Sequence, residues 1–291
     1  MRLIVAPRRC EVPAARNAVR HSAATAGNTV KALPEVSSDL SPVPCLLAPF
    51  LMTQRYFVET PITGDEALVV DAEAHHLAHV MRVKVGVEVM LFDGSGREFA
   101  AEVVKVGRRE VRCAIRSREV VDRELKREIT LASALPRGDR QKWLIEKATE
   151  LGVRRFVPLR THRAVVQPDA GAVARLERAV IEASKQCRRN VLMEIAPPAD
   201  VMAYVGATEA AALRVLGKPE SVQSLTELAR APLEPAKQII LLVGPEGGFT
   251  PEEEAAALAA GWLGINLGPR ILRIETAAAL LCGWAALTEP T

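Results

Sequence analysis

Five apolar residues in a row, Ile239-Ile240-Leu241-Leu242-Val243, mark a strand with no polar face. A run without alternation suits a strand buried on both sides, as in a parallel sheet covered by helices. The Gly-rich turn Gly244-Pro245-Glu246-Gly247-Gly248 follows, and then Thr250-Pro251-Glu252-Glu253 predicts a helix start. Thr250 is a good N-cap, Pro251 suits the first helical position, and Glu253 stands where a capping box needs it. Gly261 ends that helix, a short strand over 264–267 leads to a second turn, Gly268-Pro269-Arg270, and a last helix covers 274–287. In open α/β sheets ligands sit beyond the carboxyl ends of strands, where turns bring backbone N–H groups close. Both turns are therefore ligand-site candidates. The alternative is that the glycines only make tight turns, and Arg270, Arg273 and Glu275 between them weigh toward a site. No Gly-Lys-Ser/Thr follows the glycines, so this is not a P-loop, and the spacing is not that of a dinucleotide fingerprint.

Upstream, strand and helix patterns alternate, which argues for a parallel sheet. Strands are predicted over 129–135, 155–159, 191–195 and 211–216, and helices over 140–151, 173–185 and 222–229, the first of them capped by Asp139. Residues 54–123 instead read as a small β domain. Its strands fall at 55–59, 67–70, 87–93, 98–106 and 110–118, with a short helix over 72–81 and a turn at Gly94-Ser95-Gly96. Residues 1–51 have poor periodicity and carry Arg2, Arg8, Arg9, Arg16, Arg20 and Lys31 against Glu11, Glu35 and Asp39. They read as a disordered tail, as a segment ahead of a true start at Met52, or as a transit peptide; the first two are favoured. The expected division is 1–51, then a β domain over 52–123, then an α/β domain over 124–291.

Composition adds little: 49% hydrophobic and 25% charged residues in a chain of 291 fit an ordinary soluble protein of two domains. The net charge of +3 is mild. Its distribution matters more, because nine basic residues between Lys105 and Arg127 face only Glu110, Glu119, Asp122 and Glu124. That is either a solvated strand edge or a phosphate-facing patch. Cys10, Cys45, Cys113, Cys187 and Cys282 form no C-x-x-C pair, which argues against zinc and a disulfide framework and fits a reducing cytoplasm. No apolar run nears the roughly 20 residues that span a bilayer. His75 and His79 stand four apart, but no acid or thiol completes a ligand set, so no metal is expected. With His76, Arg82 and Lys84 they can touch RNA phosphates.

The blocks LLVGPEGGFTPEE (241–253) and LGPRILRIETAA (267–278) together resemble the C-terminal signature of the SPOUT RNA methyltransferases. Within that class the chain most resembles the small-subunit ribosomal RNA uridine-N3 methyltransferase family. MTQRYFV from Met52, HHL at 75–77, VMR-x-x-x-G at 80–86, FDGSG at 92–96, KWLIEKATELGV at 142–153, THRAVV at 161–166 and EASKQCRRN at 182–190 extend the resemblance over 52–287. It implies an α/β fold: a knotted parallel-sheet methyltransferase domain preceded by a PUA-like β-barrel. It also implies S-adenosylmethionine as cofactor, a cytoplasmic homodimer, and methylation of a uridine N3 in 16S ribosomal RNA. The cofactor would lie against Leu242, Val243, Gly244 and Gly247 on one side. Leu267, Gly268, Ile271, Leu272 and Arg273 would form the other wall, with Thr276 and Ala277 beneath.

Uracil N3 carries a proton at neutral pH, so a base must take it or cations must stabilise the anion. Glu246 is the candidate base or substrate positioner; its alternative is capping its own turn. Arg273 can stabilise the anion; its alternative is a salt bridge to Glu275. Arg189, with Gln186 and Arg188, can hold RNA or a flipped base, the alternative being a solvated helix end. Arg163 is read in the same way. A basic β domain and a shape-dependent target point to the assembled small ribosomal subunit as substrate. The rivals are a SPOUT enzyme for another RNA position and a non-catalytic assembly factor that binds RNA; the two intact blocks favour the enzyme.

Overall fold

The computed structural model describes residues 54–207, 212–230 and 238–288. The expectations for residues 1–51 lie outside them.

The β domain holds β1 (Arg55–Phe57), β2 (Glu66–Val70), α1 (Asp71–His75), a π-helical turn (His76–Val80), β3 (Glu88–Phe92), β4 (Arg97–Val106) and β5 (Glu110–Val120). The strands pair in the order β1-β3-β4-β5-β2, antiparallel except for β1 with β3. Along β2 the side chains alternate, with Ala67 and Val69 buried and Glu66 and Leu68 exposed, as a sheet with one wet face requires. Two register shifts between β4 and β5, at Ala100/Ala101 and Val103/Lys105, add local twist and curl the sheet around Tyr56, Leu77, Leu91 and Phe99. The helix expected over 72–81 forms, but its second half widens: the Met81 N–H reaches the His76 carbonyl at 2.9 Å, a five-residue step.

The second domain alternates as expected: β6 (Glu128–Ser133), α2 (Arg140–Glu150), β7 (Arg155–Arg160), α3 (Ala170–Cys187), β8 (Glu194–Ile195), β9 (Ala199–Asp200), α4 (Val201–Ala207), β10 (Leu213–Gly217), α5 (Leu225–Arg230), β11 (Gln238–Val243), α6 (Pro251–Ala259), β12 (Leu263–Ile265) and α7 (Ile274–Leu287). The strands run parallel in the order β12-β10-β11-β6-β7-β8, and β9 also pairs with β7. The short α4 and β9 carry no sequence pattern strong enough to have been foreseen. Asp139, expected as an N-cap, has helical backbone angles and makes no capping bond; the Gln141 side chain instead reaches back to the Pro136 carbonyl at 2.9 Å.

The apolar run of β11 now has its reason. Ile239, Leu241 and Val243 pack on one face with Leu144 of α2, Leu176 of α3 and Leu281 of α7, while Ile240 and Leu242 pack on the other with Val205 of α4 and Ala257 of α6. With period two and both faces covered, no position is left for a polar side chain. The helix after β6 lies on the first face and the helix after the adjacent β11 on the second. That divergence opens a crevice at their carboxyl ends, the usual place for a ligand in such a sheet.

The two sheets are joined by a polar buckle at the end of α3, where Arg188 turns the chain with φ +66°. Arg189 is 4% exposed. Its guanidinium is held by Glu124, and it donates to the carbonyls of Thr149 (2.9 Å) and Val153 (3.0 Å), which close the end of α2. Arg55 of β1 donates to the Arg189 carbonyl at 3.0 Å, to Asn190 Oδ1 and to Glu98, and Arg123 donates to Glu98 and to the Arg188 carbonyl. Burial alone would raise the Glu98 carboxyl; the two guanidiniums outweigh it and hold the group below the usual carboxylate range. Arg189, expected as a catalytic or RNA-holding group or else a solvated helix end, is a buried tie with four of its five N–H donors held by Glu124 and the two carbonyls. Removing one partner of a buried pair strands the other, so Arg189→Ala should lower the unfolding free energy by about 3–5 kcal/mol in a denaturant titration.

Candidate active site

A cavity of about 450 Å³ opens beyond the carboxyl ends of β10 and β11. The turn after β11 lines it with Val243, Gly244, Glu246, Gly247 and Gly248, and the segment after β12 with Leu267, Gly268, Arg270, Ile271 and Leu272. Ile274 and Ala277 come from the start of α7, and Gly217, Lys218, Pro219 and Glu220 from the end of β10.

The turn is shaped by close packing. The Phe249 ring folds back on Gly244 so tightly that a Cβ there would stand 2.9 Å from it. Gly248 has φ +70°, a backbone conformation that side-chain-bearing residues rarely adopt, and its N–H closes the turn onto the Pro245 carbonyl at 2.8 Å. The capping box of α6 is formed: Thr250 Oγ1 accepts from the Glu253 N–H at 3.2 Å, and Glu253 Oε2 accepts from the Thr250 N–H at 2.8 Å. Glu253 is buried, and its other oxygen accepts the His162 N–H at 2.9 Å. Arg163 of that same loop donates to the carbonyls of Gly247 and Phe249, both at 3.1 Å.

Charge is arranged around the rim. Lys218 pairs with Glu254. Arg140, at the start of α2, stands 3.6 Å from Glu246 and 3.5 Å from Glu275. Glu275 is 7% exposed, and one of its oxygens has no hydrogen-bond partner. A carboxylate facing the cavity is thus coupled through one guanidinium to a buried carboxylate at the head of α7.

The cavity gathers most of the expected residues: Val243, Gly244, Glu246, Gly247, Leu267, Gly268, Ile271, Leu272, Ala277 and Arg163. Others fall elsewhere. Leu242 is 1% exposed and packs in the core, because strand alternation turns it to the opposite face from Val243. Arg273 holds the N-cap position of α7 and Thr276 is exposed; neither lines the cavity, where Ile274 and Ala277 take the inward positions one helical turn apart. The salt bridge to Glu275 once considered for Arg273 is made by Arg140. His75, His76, Arg82 and Lys84 belong to the β domain, and Gln186 and Arg188 lie exposed at the end of α3. Sequence reasoning missed the β10 end and Glu254. A signal for the first existed: Gly217-Lys218-Pro219 punctuates the close of a predicted strand.

The family model of the RNA methyltransferase domain matches residues 123–286. The chain belongs to the RNA methyltransferase family. The PUA domain model of RNA methyltransferases matches residues 71–116. Among named relatives in the family, ribosomal RNA small subunit methyltransferase E of Mycobacterium tuberculosis (strain CDC 1551 / Oshkosh) is 34% identical over 246 residues, 80% of this chain and 91% of the relative. The protein of the same name from Bacillus subtilis (strain 168) is 31% identical over 240 residues, 77% of this chain and 92% of its own. Two solved structures share the architecture. One is ribosomal RNA small subunit methyltransferase E of Neisseria gonorrhoeae bound to S-adenosyl methionine, with TM-score 0.71, 28% identity, and 79% of this chain and 95% of that one covered. The other is a putative methyltransferase of Legionella pneumophila in complex with bound SAM, with TM-score 0.71, 30% identity and the same coverages, 79% and 95%. Among the described residues no helix is long and apolar enough to cross a membrane, and no group of His, Cys, Asp and Glu could hold a metal ion.

Two of the three turn glycines can be told apart by experiment. Gly244→Ala must displace Phe249 and should cost about 1–3 kcal/mol, as overpacking does, while Gly247→Ala meets Arg163 only at ordinary contact distance and should cost less. Thermal denaturation of the two variants side by side checks this.

Proposed function

We propose that this protein transfers a methyl group from S-adenosylmethionine to N3 of a uridine in 16S ribosomal RNA, acting on the assembled small subunit. The carrying observation is the cavity itself: two backbone turns form its walls, and Glu246, paired with Arg140, faces into it. Its size is that of a site for a cofactor-sized ligand. The lining fits this cofactor. Leu267, Ile271, Leu272 and Ala277 offer apolar surface to the adenosine, and exposed turn backbone offers hydrogen bonds to the base edges. The carboxylates Glu220 and Glu254 and the cations Lys218 and Arg270 suit a ligand that carries ammonium, carboxylate and sulfonium charges together. When bound, the cofactor supplies a methyl group already activated by its sulfonium.

The protein's own share is alignment and charge. Glu246 takes the N3 proton, and Arg140, 3.6 Å away, holds that carboxylate at the cavity wall. Arg270, which lines the cavity, supplies the positive charge that an anionic uracil needs; the exposed Arg273 beside it is the second candidate for that role. We assign RNA docking to residues 52–123, with His75, His76, Arg82 and Lys84 facing phosphate, and catalysis to 124–291. Gln186 and Arg188 remain RNA-contact candidates. A homodimer, a trefoil knot and a cytoplasmic location complete the reading. The return of the chain from edge strand β12 through 266–273, to lay α7 against β11 and β6, supports the knot.

Two measurements test the proposal. Nucleosides of small-subunit RNA from a deletion strain should lose 3-methyluridine and regain it when the gene is restored. An unchanged level would shift the reading to another RNA position or to a non-catalytic assembly factor. Glu246→Gln should lower kcat by about 10²–10⁴-fold, the usual scale for a lost general base, with cofactor affinity little changed.

A further inference from the structure

Arg163 is expected from sequence to touch RNA, yet its geometry gives it different work. The guanidinium donates from one nitrogen to two carbonyls of the cavity turn, those of Gly247 and Phe249. These carbonyls flank Gly248, the residue of positive φ. The residue before it, His162, donates its N–H to the buried carboxylate of Glu253, which also holds the Thr250 N–H. The loop after β7 is thus fastened to residues 247–253 through the guanidinium on one side and the Glu253 carboxylate on the other. Two adjacent glycines are the least restrained backbone a chain can offer, and their ordering has to be supplied from outside. Here the supplier comes from a segment 84 residues earlier in the chain.

We propose that Arg163 is a positioning residue: it fixes the glycine turn in the shape that receives the cofactor by binding two of the turn's carbonyl oxygens. This rests on the methyltransferase reading of the cavity. The role needs reach and directed donors more than charge. Lysine keeps the charge, but as a compact, strongly hydrated ammonium on a flexible four-carbon stem it does not replace the planar guanidinium fork. An RNA-phosphate contact needs chiefly the charge, which lysine supplies. The two roles therefore separate in one set of variants.

The experiment uses the full chain with Arg163→Ala and Arg163→Lys, each checked for an unchanged melting profile. S-adenosylmethionine binding is measured by calorimetry and small-subunit RNA binding by filter retention. Hydrogen exchange is followed over residues 245–250. Loss of hydrogen bonds from a charged donor should weaken cofactor affinity about tenfold in both variants. The KM for cofactor should rise in parallel, kcat should change less, RNA affinity should stay within about twofold, and exchange in the turn should speed up. An intact cofactor affinity with RNA affinity lost in Arg163→Ala and restored in Arg163→Lys would overturn the proposal in favour of an RNA contact. No change in either affinity would overturn it as well. If the unaltered protein binds no S-adenosylmethionine, it is the reading of the cavity that fails. The exchange measurement then still decides on the clamp, and unchanged exchange in Arg163→Ala would remove it.

Discussion

A parallel strand covered on both faces can do no chemistry along its length. The backbone of β11 is paired with β10 over 239–242 and with β6 over 238–243, and residues 239–243 are buried. Function can emerge only where the strand stops, and it stops at Gly244. From that constraint the site follows. The turn must leave the sheet sharply, which brings Phe249 back onto Gly244, and the next helix must begin at once, which the Thr250–Glu253 capping box ensures. The neighbouring β10 ends at the same level and contributes Gly217 and Lys218 to the same cavity. Hydrophobic burial sets the position of the site, and hydrogen bonds set its shape.

The charged residues divide into those that hold the protein together and those left over for ligands. Arg55, Arg123 and Arg189 are engaged in the buckle between the sheets, where Glu98 and Glu124 neutralise them and main-chain carbonyls accept further bonds from each. Such a buckle adds little net stability compared with apolar packing, but its directed bonds fix one arrangement of the β domain against the parallel sheet. Its members come from β1, β4, residues 123–124 and the end of α3, so separated parts of the chain meet in it.

Much of this was legible in the sequence. The uniform apolar run of β11, the Thr-Pro-Glu-Glu helix start and the span of α7 follow from local rules: strand burial, capping and helical period. Most cavity residues follow from glycine turns at strand ends. What could not be read depended on distance in three dimensions. Arg189 looks like a solvated helix end because nothing local reveals that Glu124 and two carbonyls of the α2 segment surround it. Leu242 adjoins the turn in sequence yet points into the core, since a one-residue step along a strand reverses the face. Arg140, five helices before Glu275 in the chain, becomes its partner only when α2 and α7 pack side by side.

The contact between Arg163 and the glycine turn also bears on how such a sequence can change over time. A side chain added at Gly247 would lie 3.5 Å from the Cβ of Arg163, and the two carbonyls flanking Gly248 have their donor from that same arginine. A residue larger than alanine at 247 has to be accommodated beside the Arg163 stem, and a shorter side chain at 163 leaves carbonyls that a different donor must serve. The THR and GPEGG segments are two motifs to the eye but one unit to selection, and mutations in either should be tolerated or rejected according to what the other contains.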